Sequence, residues 1–431
     1  MQNKFGAFQY LPLFCAGGYL CLTVALFFWG PFHWPVDNGG LLALFLGITL
    51  FGIGLGFFIG VVKQGAGNEL RSWRTFYRIG AVASTALVFP ATWVYTGKWP
   101  WEIFSVLGDQ GLAYREMLMA LEADESGVRG YLAIVRAVLA PFVFCVVPFA
   151  ILKWKELNKL DVLLLICHVL AILVFSFMRG TDRETGDLLV YVIMVSTVVI
   201  ARLTVRDGRF PFKLSRIIVI SLFLGAVFFF TFSLFIERKE SRMGGAESFC
   251  IAQGVVCSER DPREAELFNG SAFAFEMLTA YVSQGYFGLS LGLKEEFTST
   301  YGLGHSSFIM SMYTKFFDDS MYKRSYLYKI SQAGWDDKAQ WSTIFAWIAS
   351  DVSFPAVPLL MVVFGFLWGS SWRSAVVYGS DTGALIFLFM SLAVFYMPAN
   401  NQLTQTLDSY FAFVFWLFMW LCNSRNKDSN S

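Results

Sequence analysis

The sequence predicts an all-α, polytopic integral membrane protein of about ten transmembrane helices with one large extracytoplasmic loop. Of the 431 residues, 56% are hydrophobic and only 15% are charged, whereas soluble domains average about 25% charged residues. The deficit in charge recurs along nearly the whole chain, in uncharged runs long enough to cross a bilayer. Basic residues gather in alternate connections between these runs, which is typical of multi-pass proteins.

Ten runs are expected to cross the membrane. Eight carry no charge, namely 8–30, 41–62, 79–97, 162–178, 217–236, 352–372, 383–399 and 409–424. The other two are 131–152, which contains Arg136, and 188–201, which is short. The first run has no small-residue cleavage site, so we interpret it as a signal anchor and not as a cleaved signal peptide.

Lys and Arg in the short connections predict the orientation, because they are enriched on the cytoplasmic side. With the N-terminus in the cytoplasm, the basic connections all fall inside, namely 63–78, 153–160, 202–216 and 373–382. The outer connections 31–40 and 399–408 contain no Lys or Arg. We therefore expect both termini in the cytoplasm.

The same orientation places segment 237–351 outside, between the predicted membrane segments 1–236 and 352–431. Cys250 and Cys257 are the only cysteine pair in a polar region, and an oxidising compartment would allow a disulfide between them. The stretch 267–316 mixes apolar and aromatic residues with few charges. It is too interrupted to span, and it predicts a helix along the interface or dipping partway into the bilayer.

The most informative charged stretch, FMRGTDRETGDLL at 177–189, lies at the outer turn before the short run 188–201. That run covers about 21 Å at 1.5 Å per residue, against a hydrocarbon layer of about 30 Å. We therefore expect its helix to extend back through Asp187, Glu184 and Arg183, which brings these charges to the outer headgroup level.

Two interpretations of this turn stay open. Helical spacing would place Arg179 and Arg183 on one face, with Asp187 one turn further, as a self-satisfied ion cluster. Alternatively the arginines bind an anionic group, because a guanidinium is always charged and matches phosphate geometry. Arg136 also lies near the outer end of its run, and it favours a diphosphate site.

Two external stretches, 280–293 and 297–308, combine glycines with tyrosines. Tyr281, Tyr286 and Tyr301 are amphipathic rings, suited either to stacking on sugars or to anchoring at the membrane interface.

Three further polar features bear on chemistry. External His305 is a general-base candidate, whereas His168 lies inside an apolar run and is expected to be a satisfied intramembrane residue. Asn400 and Asn401 belong to an amide-rich outer turn; such amides bind sugar hydroxyls or cap helices. Asp37 is the only acid of the first outer loop, so we expect no metal site and no cofactor. The net charge of +1 argues against a nucleic-acid partner.

Three motifs carry a resemblance to the Wzy-type polymerases of O-antigen and oligosaccharide repeat units. They are RGTDRETGD at 179–187, YVSQGYFGLSL at 281–291 and YGLGHS at 301–306. The number of runs and the long late external loop are similar as well, and the resemblance implies a GT-C-like architecture. The related O-antigen ligases carry a longer histidine motif, of which only the His-Ser pair is present here.

The resemblance implies block transfer of a glycan from undecaprenyl diphosphate to the terminal sugar of another lipid-linked repeat unit. It places the reaction at the periplasmic face of a bacterial inner membrane. The implied partners are lipid-linked oligosaccharides, membrane lipids and a chain-length-regulating co-polymerase. A flippase of the same lipid-linked units and an envelope-glycan ligase remain alternatives.

Roles follow for the candidate residues. Arg136, Arg179 and Arg183 are expected to hold the diphosphate, and His305 or Glu184 to take the acceptor proton. The other expected substrate contacts are Asp187, Tyr281, Tyr286, Tyr301, Asn400 and Asn401.

Overall fold

The computed structural model describes residues 6–63, 69–122, 127–208, 248–252, 256–259, 262–337 and 340–425, with isolated positions between 222 and 236. Over these residues the chain is almost entirely helical. The α-helices are α1 (Leu11–Trp29), α2 (Gly39–Val62), α3 (Trp73–Thr96), α4 (Ile103–Leu107), α5 (Gln110–Glu122), α6 (Val128–Phe144), α7 (Val146–Leu152), α8 (Lys159–Met178), α9 (Arg183–Asp207), α10 (Pro262–Gly292), α11 (Ser307–Phe316), α12 (Ser320–Arg324), α13 (Tyr326–Gln332), α14 (Ile344–Val352), α15 (Val357–Val377), α16 (Asp381–Tyr396) and α17 (Leu407–Arg425). Short 3₁₀ segments cover Gly6–Tyr10, Pro100–Glu102, Trp154–Glu156 and Phe354–Ala356.

Seven helical stretches in the described ranges are long and apolar enough to cross a membrane. They are Phe8–Trp29, Gly39–Val62, Trp73–Thr96, Val128–Leu152, Lys159–Met178, Arg183–Asp207 and Phe354–Val377. The apolar helices α16 and α17 are shorter. The chain is therefore an all-α, multi-pass membrane protein; the expected run 217–236 lies largely outside the described residues.

The predicted run 131–152 is divided in two at Cys145, between α6 and α7. Pro148 has no N–H to donate to the backbone four residues earlier, and its ring clashes with that carbonyl. The expected span is therefore one helical stretch, Val128–Leu152, with an interruption at Cys145.

Glycines bring α2 and α15 into close contact. A Cβ added at Gly56 or Gly60 of α2, or at Gly365 or Gly369 of α15, would collide with the backbone of the other helix. Small residues at such spacing let helix backbones approach within a bilayer, where packing replaces the hydrophobic effect as the driving force.

The described part of the predicted external segment 237–351 begins with a hairpin and a long helix. Strands β1 (Ser248–Ala252) and β2 (Val256–Glu259) pair antiparallel, with Cys250 directly opposite Cys257. The two cysteine side chains lie outside the described part, so their disulfide stays a prediction. The helix α10 runs unbroken from Pro262 to Gly292.

The last turns of α10 pack against α1. The hydroxyl of Tyr286 shares a 2.8 Å hydrogen bond with Thr23 Oγ1, and Asn38 Nδ2 donates to the Ser290 carbonyl at 2.8 Å. Thr23 lies six residues before Trp29, the end of α1, or about 9 Å along the helix axis. The end of α10 therefore dips beside a membrane span, as the interfacial prediction allows.

Connections predicted to share a side of the membrane meet at the same end of the bundle. Asp381 accepts a hydrogen bond from the Leu70 backbone and forms ion pairs with Lys153 (3.4 Å) and Arg202 (3.7 Å). These residues come from four connections that we predict to be cytoplasmic. The turns that carry the candidate site residues meet at the opposite end.

Candidate functional site

A cavity of about 620 Å³ lies between α3, α6, α8 and α9, at the bundle end that holds the arginine turn. Residues of α11, the first turn of α17 and the two residues before α17 complete its wall. Its charged lining residues are Arg136, Arg179, Arg183, Glu184, Asp187 and Asp408. The structure thus brings all three predicted arginines into one cavity.

The turn between α8 and α9 places two of these arginines. Arg179 caps the end of α8, and Gly180 takes a φ of +59° that reverses the chain. The helix α9 then begins at Arg183, after its N-cap Asp182. The expected extension back to Arg183 is confirmed. The expectation that Arg179 and Arg183 share a helix face is wrong, because Gly180 separates them into two helices.

Two guanidinium groups lie over the same aromatic rings. The central carbon of the Arg179 guanidinium lies 4.7 Å from the centroid of Phe175 and 5.2 Å from that of Tyr95. For Arg136 these distances are 5.0 Å and 6.0 Å. The ring faces attract both cations, which favours the observed positions of the two guanidinium groups.

The same two arginines also form ion pairs. Arg179 contacts Glu184 at 2.5 Å, and Arg136 contacts Asp408 at 2.8 Å. Thr181 donates a second hydrogen bond to Glu184 at 2.9 Å. These contacts agree with the interpretation as a self-satisfied ion cluster. An incoming anion therefore has to displace the carboxylates from the two arginines before its own oxygens can bind there.

Arg183 forms a weaker ion pair than the other two arginines. It lies 3.9 Å from Asp187, beyond hydrogen-bond length. Asp187 instead accepts a hydrogen bond from Gln402 at 3.0 Å. The Arg183 side chain is 35% exposed, so it is the arginine best able to meet an anion without first losing a strong partner.

The second polar centre pairs His305 with Asp351. His305 Nδ1 lies 3.2 Å from an oxygen of Asp351, and the His305 backbone N–H donates to the same oxygen at 2.9 Å. The other oxygen accepts from Thr300 Oγ1 and from the N–H groups of Gly302 and Gly304. Among the described residues, Nε2 of His305 makes no hydrogen bond. The ring is thereby oriented with one nitrogen available.

Burial and hydrogen bonding act in opposite directions on the Asp351 carboxyl. Burial raises its pKa, but hydrogen bonds from His305, Thr300 and the Gly304 and His305 backbones outweigh that effect. The pKa of Asp351 is therefore below its ordinary value, and the group is a carboxylate at neutral pH. A carboxylate at Nδ1 is the arrangement that stabilises a protonated imidazole.

His305 does not line the arginine cavity. It lies on a second cavity of about 350 Å³, whose wall is mostly apolar and includes Asp351, Asn401 and Thr404. Ser307 and Gln405 line the arginine cavity instead, and the Ser307 hydroxyl donates to the Gln405 carbonyl at 2.7 Å. The two polar centres are thus neighbours on either side of one chain segment, 404–407.

The asparagine turn supports this arrangement. Asn401 Nδ2 donates to the His305 carbonyl at 2.8 Å, so it holds the histidine turn in place. Asn400 is buried, and its amide oxygen has no hydrogen-bond partner within the described ranges.

The predicted tyrosines occupy different environments. Tyr286 is 2% exposed and hydrogen-bonded to Thr23, so it is a packing residue of α10 and not the substrate contact that we expected. Tyr281 packs edge-on against Trp341, with centroids 4.5 Å apart. Tyr301 is 73% exposed, with the Arg324 guanidinium 5.6 Å from its ring, and it remains available to a ligand.

Sequence reasoning missed three residues of the site. Asp351, Tyr95 and Phe175 all contact a predicted residue. Asp351 is an acid at the border of an apolar run, a signal that could have identified it. Nothing in the sequence separates Phe175 and Tyr95 from the other aromatic residues of the spans.

No known protein family, curated protein or solved structure matches this chain.

Proposed function

We propose that the protein polymerises undecaprenyl-diphosphate-linked oligosaccharide repeat units at the periplasmic face of the inner membrane. The observation that carries the proposal is the convergence of Arg136, Arg179 and Arg183 on one cavity, beside the His305–Asp351 pair. The first centre suits an anionic leaving group, and the second suits an acceptor hydroxyl. Both lie at the bundle end that the distribution of basic residues assigns to the outside.

The arginine cavity would hold the diphosphate of the donor. When the bond between the anomeric carbon and the diphosphate oxygen breaks, negative charge grows on the leaving group. Fixed guanidinium groups in a poorly hydrated site stabilise such charge without reorganising. Phe175 and Tyr95 help to hold the Arg136 and Arg179 guanidinium groups in position, because both rings lie within 6.0 Å of each group.

The His305 centre would take the acceptor proton. The terminal sugar hydroxyl of the acceptor forms the new bond to the anomeric carbon and loses its proton to Nε2 of His305. Undecaprenyl diphosphate leaves with the electrons of the broken bond. The Asp351 carboxylate at Nδ1 stabilises the imidazolium that results. Asp351 is thus a positioning residue.

His305 suits the base role better than Glu184, the other candidate. Each carboxylate oxygen of Glu184 already accepts a hydrogen bond, one from Arg179 and one from Thr181. Its contact with Arg179 instead suits a role in holding that guanidinium in position. The reacting carbon would then lie over the segment 404–407, between the two cavities.

The test uses purified protein in lipid nanodiscs with synthetic undecaprenyl-diphosphate repeat units. We expect a ladder of products on a gel, lost in Arg179→Ala and Arg183→Ala. Arg206→Ala is the matched control, because Arg206 is 70% exposed and lies at the opposite end of α9. Its ladder should be unchanged.

Three outcomes would overturn the proposal. The first is a normal ladder in both arginine variants, provided that they fold as the wild type does. The second is translocation of the lipid-linked unit without elongation, which identifies a flippase. The third is transfer only to a different envelope glycan, which identifies a ligase.

A further inference from the structure

The arginine cavity extends far below its charged rim. On α3 its lining descends from Tyr95 to Ser84, and on α8 from Arg179 to His168. Each pair is eleven residues apart (95 − 84 and 179 − 168), which is about 16 Å along a helix. Two helices therefore bound the cavity over the same depth, close to half of a hydrocarbon layer of about 30 Å.

Between rim and floor the lining is apolar, and we call this part the shaft. It is lined by Leu87, Val88, Ala91, Ala133, Ala140, Val143, Phe144, Val147, Ala171, Ile172 and Phe175. The alanines come from α3, α6 and α8. Small side chains on three walls keep the shaft open, where larger residues would close it.

The floor of the shaft is a polar pair. Ser84 Oγ donates to the Ala81 carbonyl at 3.0 Å and lies 2.6 Å from His168 Nδ1. The hydroxyl and the imidazole are therefore hydrogen-bonded to each other. His168 is the tenth residue of the 20-residue helix α8, so the pair sits near the middle of the span.

A cationic rim, an apolar shaft and a polar floor together match one end of an amphiphile. We propose that the shaft seats the first hydrocarbon segment of a polyisoprenyl diphosphate, and that the Ser84–His168 pair marks where this segment ends. The identity of the headgroup rests on the function proposed above. Isoprene units beyond the floor are expected to add no binding affinity, because the Ser84–His168 pair offers them no apolar surface.

The first test measures binding, not turnover. The probes are inorganic diphosphate and the geranyl, farnesyl, geranylgeranyl and undecaprenyl diphosphates, titrated into the protein in nanodiscs. For the wild type we expect affinity to rise with chain length and then to level off once the chain fills the shaft. Equal affinity for every probe, inorganic diphosphate included, would overturn the inference.

Shaft-filling variants make the test specific. In Ala140→Phe and Ala171→Phe, affinity for the prenyl diphosphates should fall at least about tenfold, toward that of inorganic diphosphate, because the new ring occupies the space of the chain. Unchanged binding of inorganic diphosphate shows that the fold and the rim are intact. Val138→Phe and Leu170→Phe are the controls, since these residues lie on the same helices with exposed side chains (60% and 54%).

The floor has its own variant. His168→Ala removes the polar end of the shaft, and the chain length at which affinity levels off should become longer. An unchanged length dependence would contradict the role of the floor. Equal competition by phosphatidylglycerol would show that the shaft takes membrane lipid in general, and would overturn the inference.

Failure of the inference can be told from failure of the proposed function. If prenyl diphosphates bind with the expected length dependence but no ladder forms, the polymerase proposal is wrong and the shaft assignment stands. If a ladder forms equally well in the wild type and in Ala140→Phe and Ala171→Phe, the shaft assignment alone is wrong.

Discussion

The Nδ1 atom of His305 lies 3.2 Å from a carboxylate oxygen of Asp351, and four further hydrogen bonds converge on the same carboxylate. The two residues are 46 positions apart in the chain. A carboxylate held by so many donors is fixed in place, and it fixes the imidazole in turn. This relationship gives His305 a defined orientation.

Replacing Asp351 with Asn should lower the polymerisation rate about 100-fold or more, as expected when a general base loses its orientation. An amide keeps the shape of the carboxyl but cannot stabilise the imidazolium. The measurement is the initial rate of ladder formation as a function of pH. A loss of rate that is independent of pH, or none at all, would argue against a positioning role. Asp337→Asn, in the same external region, is the control.

The same carboxylate predicts how stability responds to acid. Although burial opposes it, the hydrogen bonds lower the pKa of Asp351, so its contribution is present above the unfolded-state pKa of about 3.9. It is lost as the pH falls through the folded-state value. Asp351→Asn should therefore cost roughly 1.5–3 kcal/mol at neutral pH.

The corresponding measurement is the melting temperature in detergent across pH. The difference between the wild type and Asp351→Asn should shrink as the pH drops below about 4. A difference that stays constant on acidification would mean that the carboxylate charge contributes nothing.

The contact between α2 and α15 predicts a fold-level effect. Gly56→Ala would place a Cβ against the Val362 backbone, and such overpacking costs about 1–3 kcal/mol. Thermal unfolding in detergent measures the loss. Gly47→Ala on the same helix is the matched control, because a Cβ there meets nothing within 4 Å. Equal stability of the two variants would show that the helices can separate without cost.

Much of the fold could be predicted because hydrophobic length and charge placement are local signals. Within the described residues the expected runs are helical, and the short run 188–201 extends back to Arg183 as expected. The interruption at Cys145 was not predicted, although Pro148 lies within the expected span. Its effect depends on whether neighbouring helices accommodate the bend, which the sequence does not show.

The site was less predictable, since it depends on contacts between distant segments. Arg136, Arg179 and Arg183 were identified by their charge at membrane depth. Phe175 is one apolar residue among many in the sequence, and only the fold brings the guanidinium groups of Arg136 and Arg179 to its ring. Tyr286 shows the opposite problem. A tyrosine suits a glycan, an interface or a core, and only its contact with Thr23 identifies the last.

The proposed function requires the arginine cavity and the His305 turn to face the outside of the cell. Single cysteines introduced at Phe316 and Trp154 test this, because both positions are exposed (68% and 61%) and lie at opposite ends of the bundle. In intact spheroplasts, a membrane-impermeant thiol reagent should label Phe316→Cys and leave Trp154→Cys unlabelled until the membrane is permeabilised. The reverse pattern would place the arginine cavity on the cytoplasmic side and contradict the proposed function.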